Sequence, residues 1–204
     1  MEHLPVTALK PVEQVQIISN ALLPFCKKHW FESNKKIKFS YRNAPVCYLL
    51  LEGTVTIRRG KDSLVVSNAY APTVLGLTNL LTPVDKDYYL RVESRATIAV
   101  IVANSARRII SEMQLWENVS ALMSYMICRQ ASHSSRMIVK NNYEMVYANV
   151  LKLMREPQEF REGTTVAKYI QDRTLLSRSG IMRALAELKN KKIIVMNDGY
   201  LISA

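Results

Sequence analysis

Hydrophobic and polar positions along the chain change rhythm twice. From Lys35 to Val102 the apolar residues fall in short runs: VCYLLLEG, TVTIRRG, SLVVSNAYA, TVLGLTNLL, DYYLRVES and ATIAVIVA. Gly, Pro, Asn and Asp separate them at the spacing an all-β barrel or sandwich requires. Glu52-Gly53 and Gly60-Lys61-Asp62 read as turns between strands. Residues 1 to about 28 read as an irregular-to-helical lead-in. After Asn104-Ser105, read as a cap, the pattern turns helical and stays so to about Lys140. A short amphipathic helix is then expected from Tyr143 to Arg155, stopped by Pro157, with FREGT as a loop. The segments VAKYIQDR and TLLSRSGIMRALAELKNKK predict two more helices. IIVMNDGYLIS predicts two strands around Asp198-Gly199, a strong hairpin signal.

Within the long helical stretch, Trp116, Val119, Met123, Met126, Gln130, His133 and Met137 alternate spacings of three and four. That is a heptad seam, which calls for a partner helix and hence a homodimer. The alternative is a helix packed only on its own barrel, with Leu115, Leu122 and Ile127 as a second contact. His133, beside Gln130, either tunes pairing with pH or only fixes register.

The segment Arg173–Lys192 carries the clearest chemistry. Ile181, Ala184, Leu185 and Leu188 make one apolar stripe, and Ser177 is a good N-cap for the Gly180 N–H. On or near the opposite face lie Ser179, Met182, Arg183 and Ala186, flanked by Arg178. Six Lys and Arg against the single acid Glu187 give this segment a local charge of +5. A short helix, a tight connector and a capped basic helix form a helix–turn–helix, whose second helix enters the DNA major groove by its N-terminal end. Arg178 and Arg183 are the candidate base readers, by bidentate donation to guanine. Lys168, Arg173, Ser177, Lys189, Lys191 and Lys192 are candidate phosphate contacts. The competing reading is an ordinary solvated helix face.

The remaining composition narrows the field. With 28 Lys and Arg against 17 Asp and Glu, the net charge of +11 favours a polyanionic partner, nucleic acid before membrane. No run of 18 apolar residues exists and MEHLPVTALKPVEQ lacks a secretion pattern, so a cytoplasmic protein without a membrane role is expected. Cys26, Cys47 and Cys128 are scattered and odd in number, which fits a reducing compartment. Cys26 and His29 have one metal-like spacing, but two ligands do not make a tetrahedral site, and no metal is expected. Lys27 and Lys28 would lower the Cys26 pKa, as a redox sensor needs; otherwise it is an ordinary loop cysteine. No Ser/His/Asp, Cys/His or glycine-rich phosphate pattern supports an enzyme.

Two motifs give the chain a family likeness. Ser177 to Leu188 matches S-R-x-x-[IV]-x-R-x-L-x-x-L, followed by KNKKII, and CYLLLEGTVTI matches Y-x-[IL]-x-x-G-x-[VA]-x-[VI] through Tyr48, Leu50, Gly53, Val55 and Ile57. In these the chain resembles the cyclic-AMP receptor protein and fumarate–nitrate regulator superfamily of bacterial transcription factors, in a divergent enterobacterial branch. The resemblance implies an α+β fold: a cyclic-nucleotide-binding-like β-roll (jelly-roll barrel) over residues 1–104, a long dimerisation helix over 105–140 and a winged helix–turn–helix over 141–204. It implies a homodimeric regulator on a pseudo-palindromic double-stranded operator, with RNA polymerase as a further partner. Arg178 and Arg183 match the family's base-reading arginines, and the resemblance implies Ser179 as a third base reader, although it stands where the receptor has a base-reading glutamate. Gly76 is followed by Leu77 and not the ribose-binding acid, and VDKDYYLRVES lacks the arginine–serine pair that holds the cyclic phosphate. Arg91 could approach a phosphate, but Asp85 and Asp87 oppose an anion. Neither cyclic AMP nor an iron–sulfur cluster is therefore expected as cofactor. Two rivals stay open: a roll that senses another small molecule or a redox signal, and a regulator acting through protein contacts with a vestigial DNA-binding domain.

Overall fold

A computed structural model describes residues 10–60, 63–83, 87–134 and 141–204, without the side chains of 130–134. The chain divides into two compact units, Leu9–Cys128 and Arg129–Ala204.

The first unit runs α1 (Val12–Leu22), β1 (Lys27–Phe31), β2 (Lys36–Lys38), β3 (Ser40–Tyr41), β4 (Ala44–Glu52), β5 (Thr54–Arg59), β6 (Leu64–Tyr70), β7 (Thr73–Leu75), β8 (Tyr88–Val92) and β9 (Ala96–Val102), then the helices α2 (Ala103–Glu112) and α3 (Trp116–Ser134). The strands pair antiparallel in the orders β1-β9-β4-β3, with β7 also on β4, and β2-β8-β5-β6. The side chains of β4 explain its unbroken apolar run. Val46, Tyr48 and Leu50 join Val55, Ala69, Leu90 and Val92 inside the roll. Cys47 and Leu49 point the other way, into a second core with Val15, Ile18 and Leu22 of α1 and Ile110, Val119 and Leu122. A strand covered on both faces has no polar side to display.

Several local expectations change. Strand β1 occupies the end of the supposed lead-in. TVLGLTNLL is a three-residue strand and then a 3₁₀ turn at Leu77–Leu80. Gly76 takes a φ of +76° there, and buried Asn79 donates to the Phe39 and Val46 carbonyls at 3.1 and 2.8 Å, which bends the chain inward. Gly53 is obligatory at its turn: its φ is +87°, and a Cβ would lie 2.4 Å from the Arg95 carbonyl oxygen.

The single helix expected from Asn104 is two helices. The first starts at Ala103 behind Val102, with no side-chain cap. The chain breaks at Met113–Leu115, where Gln114 has a φ of +56°. Phase explains the break. Continuing the stripe Ala106–Ile110 would bring Met113, Glu117 and Ala121 inward, whereas restarting at Trp116 buries Val119 and Leu122 instead.

The second unit holds α4 (Asn142–Met154), α5 (Gln158–Glu162), α6 (Val166–Gln171), α7 (Arg178–Asn190), β10 (Val195–Asn197) and β11 (Tyr200–Ser203). FREGT is mostly the end of α5, which starts behind Pro157 and stops at Gly163. Val146, Val150, Leu153, Tyr169, Ile170, Ile181, Leu185, Leu188 and Leu201 form its core. Asp198 and Gly199, with φ of +48° and +86°, make the β10–β11 turn as expected of a primed hairpin. The Gly199 carbonyl accepts the Val166 N–H at 2.9 Å, tying that turn to the start of α6.

Candidate nucleic-acid interface

The basic helix is built from its cap inward. Ser177 Oγ accepts the Gly180 N–H at 3.2 Å and so satisfies one of the open donors of the first turn, as expected. Ile181, Ala184, Leu185 and Leu188 are all buried, which fixes the rotation of α7 about its axis. Arg178, Ser179, Met182, Arg183 and Ala186 are exposed as a consequence. The connector from α6 is held locally. Thr165 Oγ1 caps α6 at the Lys168 N–H, and the Thr174 hydroxyl donates to the Ile170 carbonyl at 2.9 Å.

Contacts sort the expected cations into two groups. Among the described residues, Arg178, Arg183, Lys189 and Lys192 have no ion-pair or hydrogen-bond partner for their side chains, and all four are exposed. The others are engaged. Lys168 pairs with Asp172 at 3.3 Å. Lys191 pairs with Glu187 at 2.7 Å and lies 4.8 Å from the centre of the Tyr143 ring; the Glu187 hydrogen bond raises its pKa. Arg173 folds back, its guanidinium 3.5 Å above the Tyr169 ring and donating to the Tyr169 carbonyl at 3.1 Å. Tyr169 is itself buried, with its hydroxyl on Glu156 and its own pKa pushed up by burial. Sequence reading missed this Tyr169–Arg173 stack, although the i, i+4 spacing of the pair was visible.

The expected seam is corrected at Val119. Val119 is fully buried in its own unit and so faces the roll, and Trp116, Met123 and Met126, which are only partly buried, pack one side against the same core. The side chains of Gln130 and His133, and all of Met137, lie outside the described residues. The exposed face of α3 instead carries Glu117, Ser120, Ala121, Ser124, Ile127 and Cys128.

Of the two readings of Cys26, its half-buried place fits the ordinary loop cysteine. Its thiol donates to the Leu22 carbonyl at 3.3 Å, and burial pushes its pKa up to about 11, with Lys28 pulling only weakly in the other direction. The lowered pKa that would favour a redox role is absent.

Within the roll, Arg91 alternates with inward Leu90 and Val92 and bonds Asn34 on the outer side. Arg58, buried on the same sheet, donates to Glu93 at 3.1 Å, Thr56 Oγ1 at 3.0 Å and the Ser63 carbonyl at 2.9 Å. Neither arginine is directed into the apolar interior.

Comparisons with known proteins agree with this architecture. Residues 142–204 match the family described as winged helix-turn-helix DNA binding. Over nearly the whole of both chains (97% of this one, 96% of the relative) the sequence is 26% identical to the inhibitor of hydrogen peroxide resistance of Escherichia coli K12. The solved structure of the c-di-GMP responsive global regulator CLP of Xanthomonas campestris superimposes with a TM-score of 0.73 at 13% identity, covering 92% of this chain and 98% of that one. A transcriptional regulator of the CRP family from Thermus thermophilus gives a TM-score of 0.61 at 15% identity, over 86% and 92% of the two chains. No helix among the described residues is long and apolar enough to cross a membrane. The chain thus has the fold of the cyclic-AMP receptor and fumarate–nitrate regulator superfamily, with a winged helix–turn–helix DNA-binding domain at residues 142–204.

Proposed function

We propose that this protein is a cytoplasmic, sequence-specific transcription regulator that binds double-stranded DNA as a homodimer and is not controlled by cyclic nucleotides. The observation that carries the reading is the outer face of α7. A capped helix, rotationally locked by four buried residues, presents Arg178 and Arg183, unpaired among the described residues, beside Ser179 and Ala186. Small side chains let the helix approach a groove closely, and the arginines then reach base edges. Lys189 and Lys192, also unpaired among the described residues, supply phosphate contacts; Lys168, Arg173 and Lys191 contribute only by loosening their present contacts.

Pairing of two chains rests on the exposed face of α3, where Ile127 is 63% exposed among Ala121, Ser124 and Cys128. Small residues around one large apolar side chain allow two helices to approach closely. A pair of chains brings two α7 helices to the DNA, which calls for a pseudo-palindromic site. The cyclic-nucleotide part of the reading rests on the apolar roll interior and on the outward or paired state of Arg91 and Arg58. A cyclic phosphate there would find no cation among the described residues to offset its desolvation. From the name of its relatives we assign peroxide resistance as the response under control.

The test is selection of duplexes from a randomised library with the full-length protein at physiological salt. The proposal predicts enrichment of one sequence with twofold symmetry. Recovery of no sequence above background would favour a protein that acts through protein contacts instead.

A further inference from the structure

We infer that Met182 reads the C5-methyl group of a thymine, adding an A·T-selective contact to the guanine contacts of the arginines. The inference rests on the DNA-binding reading of α7. Met182 is 50% exposed and takes no part in the core beneath it, which is made by its neighbours Ile181, Ala184 and Leu185. One helical turn before it stand Arg178 and Ser179, one turn after it stands Ala186, and Arg183 adjoins it. Met182 is therefore the one apolar side chain of real length among the side chains proposed to face the bases. It reaches further than the flanking serine and alanine, and it is unbranched, so it can follow the floor of a groove.

In the major groove the thymine methyl is the apolar feature of a base edge, and an apolar side chain is its natural partner. Ser179 cannot supply that selectivity, because a hydroxyl both donates and accepts and tolerates several bases. The recognition surface then has two kinds of reader. The arginines take guanine by paired hydrogen bonds, and Met182 takes thymine by burying a methyl group. Leu175, 81% exposed in the connector before the helix, is the other apolar candidate in this region. It precedes the cap Ser177 and lies off the helix, so we assign it no base.

The experiment uses the full-length protein and the duplex recovered by selection, with each thymine replaced in turn by deoxyuridine, which removes only the methyl. Wild-type protein should lose about fourfold in affinity per half-site at one thymine, the effect of exposing one buried methyl. Met182→Ala should bind the parent duplex about fourfold more weakly per half-site and be indifferent to deoxyuridine at that position, while Met182→Leu and Leu175→Ala should keep the sensitivity. Wild-type protein indifferent to every replacement would overturn the inference while leaving DNA binding intact. So would Met182→Ala that retains the full sensitivity, or Leu175→Ala that loses it. Failure to recover any duplex would overturn the DNA reading itself, and this inference with it.

Discussion

Replacing Glu93 with Gln tests how the roll treats its buried cation. The Arg58 side chain is only 4% exposed, and its guanidinium is satisfied by Glu93, Thr56 and Ser63. Glu93 Oε1 also accepts the Thr56 hydroxyl at 2.6 Å. Glutamine keeps an acceptor at that place and removes only the charge. Breaking a fully buried pair costs about 3–5 kcal/mol. Glu93 is 22% exposed, so water screens part of the loss, and about 2 kcal/mol is expected once a charged hydrogen bond becomes a neutral one. Trp30 and Trp116 both lie in this unit, so tryptophan fluorescence during urea unfolding reports on it. With a slope of about 1–3 kcal/mol per molar urea, the midpoint should fall by about 1 M. The double replacement Arg58→Met with Glu93→Leu should be more stable than Glu93→Leu alone, since no buried charge is left without a partner. An unchanged midpoint for Glu93→Gln, or strictly additive effects in the pair, would refute the view that Arg58 depends on Glu93.

Four other outcomes follow from the same structure. At pH 7.5 Cys26 should alkylate about 100-fold more slowly than a thiol of ordinary pKa, because its value near 11 leaves so little thiolate. Burial also holds Cys47 near 12; both folded values exceed the unfolded one, so their stabilisation is complete below about pH 9 and lost as pH rises through 11–12, seen as a falling Tm. Ile127→Glu should give monomers in sedimentation with the melting of the roll unchanged, whereas Leu122→Ala should destabilise the roll by about 2–5 kcal/mol; a dimer that survives Ile127→Glu places pairing elsewhere. Cyclic AMP and cyclic GMP should give no saturable heat in calorimetry, and micromolar binding would show that a cation enters the roll after all.

How far the sequence could be read depended on how local the controlling physics was. The α7 stripe, its Ser177 cap and the Asp198-Gly199 turn each depend on a few neighbouring residues, and all stand where their patterns put them. The heptad Trp116–Val119–Met123–Met126 was equally regular, yet it includes Val119, which is buried against its own unit, because periodicity gives one apolar face and does not say whether a sheet or a second helix covers it. Gln114 in the left-handed region carries no sequence signal strong enough to announce the break between α2 and α3. The redox alternative for Cys26 is weakened for a related reason. Lys27 and Lys28 are adjacent in sequence, but desolvation, set by residues distant in the chain, outweighs their charge. At the interface itself, the residue types were legible, but their partners were not: the i, i+4 spacing of Tyr169 and Arg173 permits the stack that sets Arg173 apart from Arg183 but does not require it.

The central claim, that the outer face of α7 reads bases, is tested most directly by titrating Arg183→Ala against the selected operator and a random duplex of equal length. The account predicts a loss of about 1–3 kcal/mol per half-site on the operator and little change on random DNA, which is held by many phosphate contacts. Thermal melting should match the parent protein, since Arg183 lies off the buried stripe. Equal weakening on both duplexes would make Arg183 a phosphate clamp, and no effect on either would make α7 a solvated helix face; both results contradict the account.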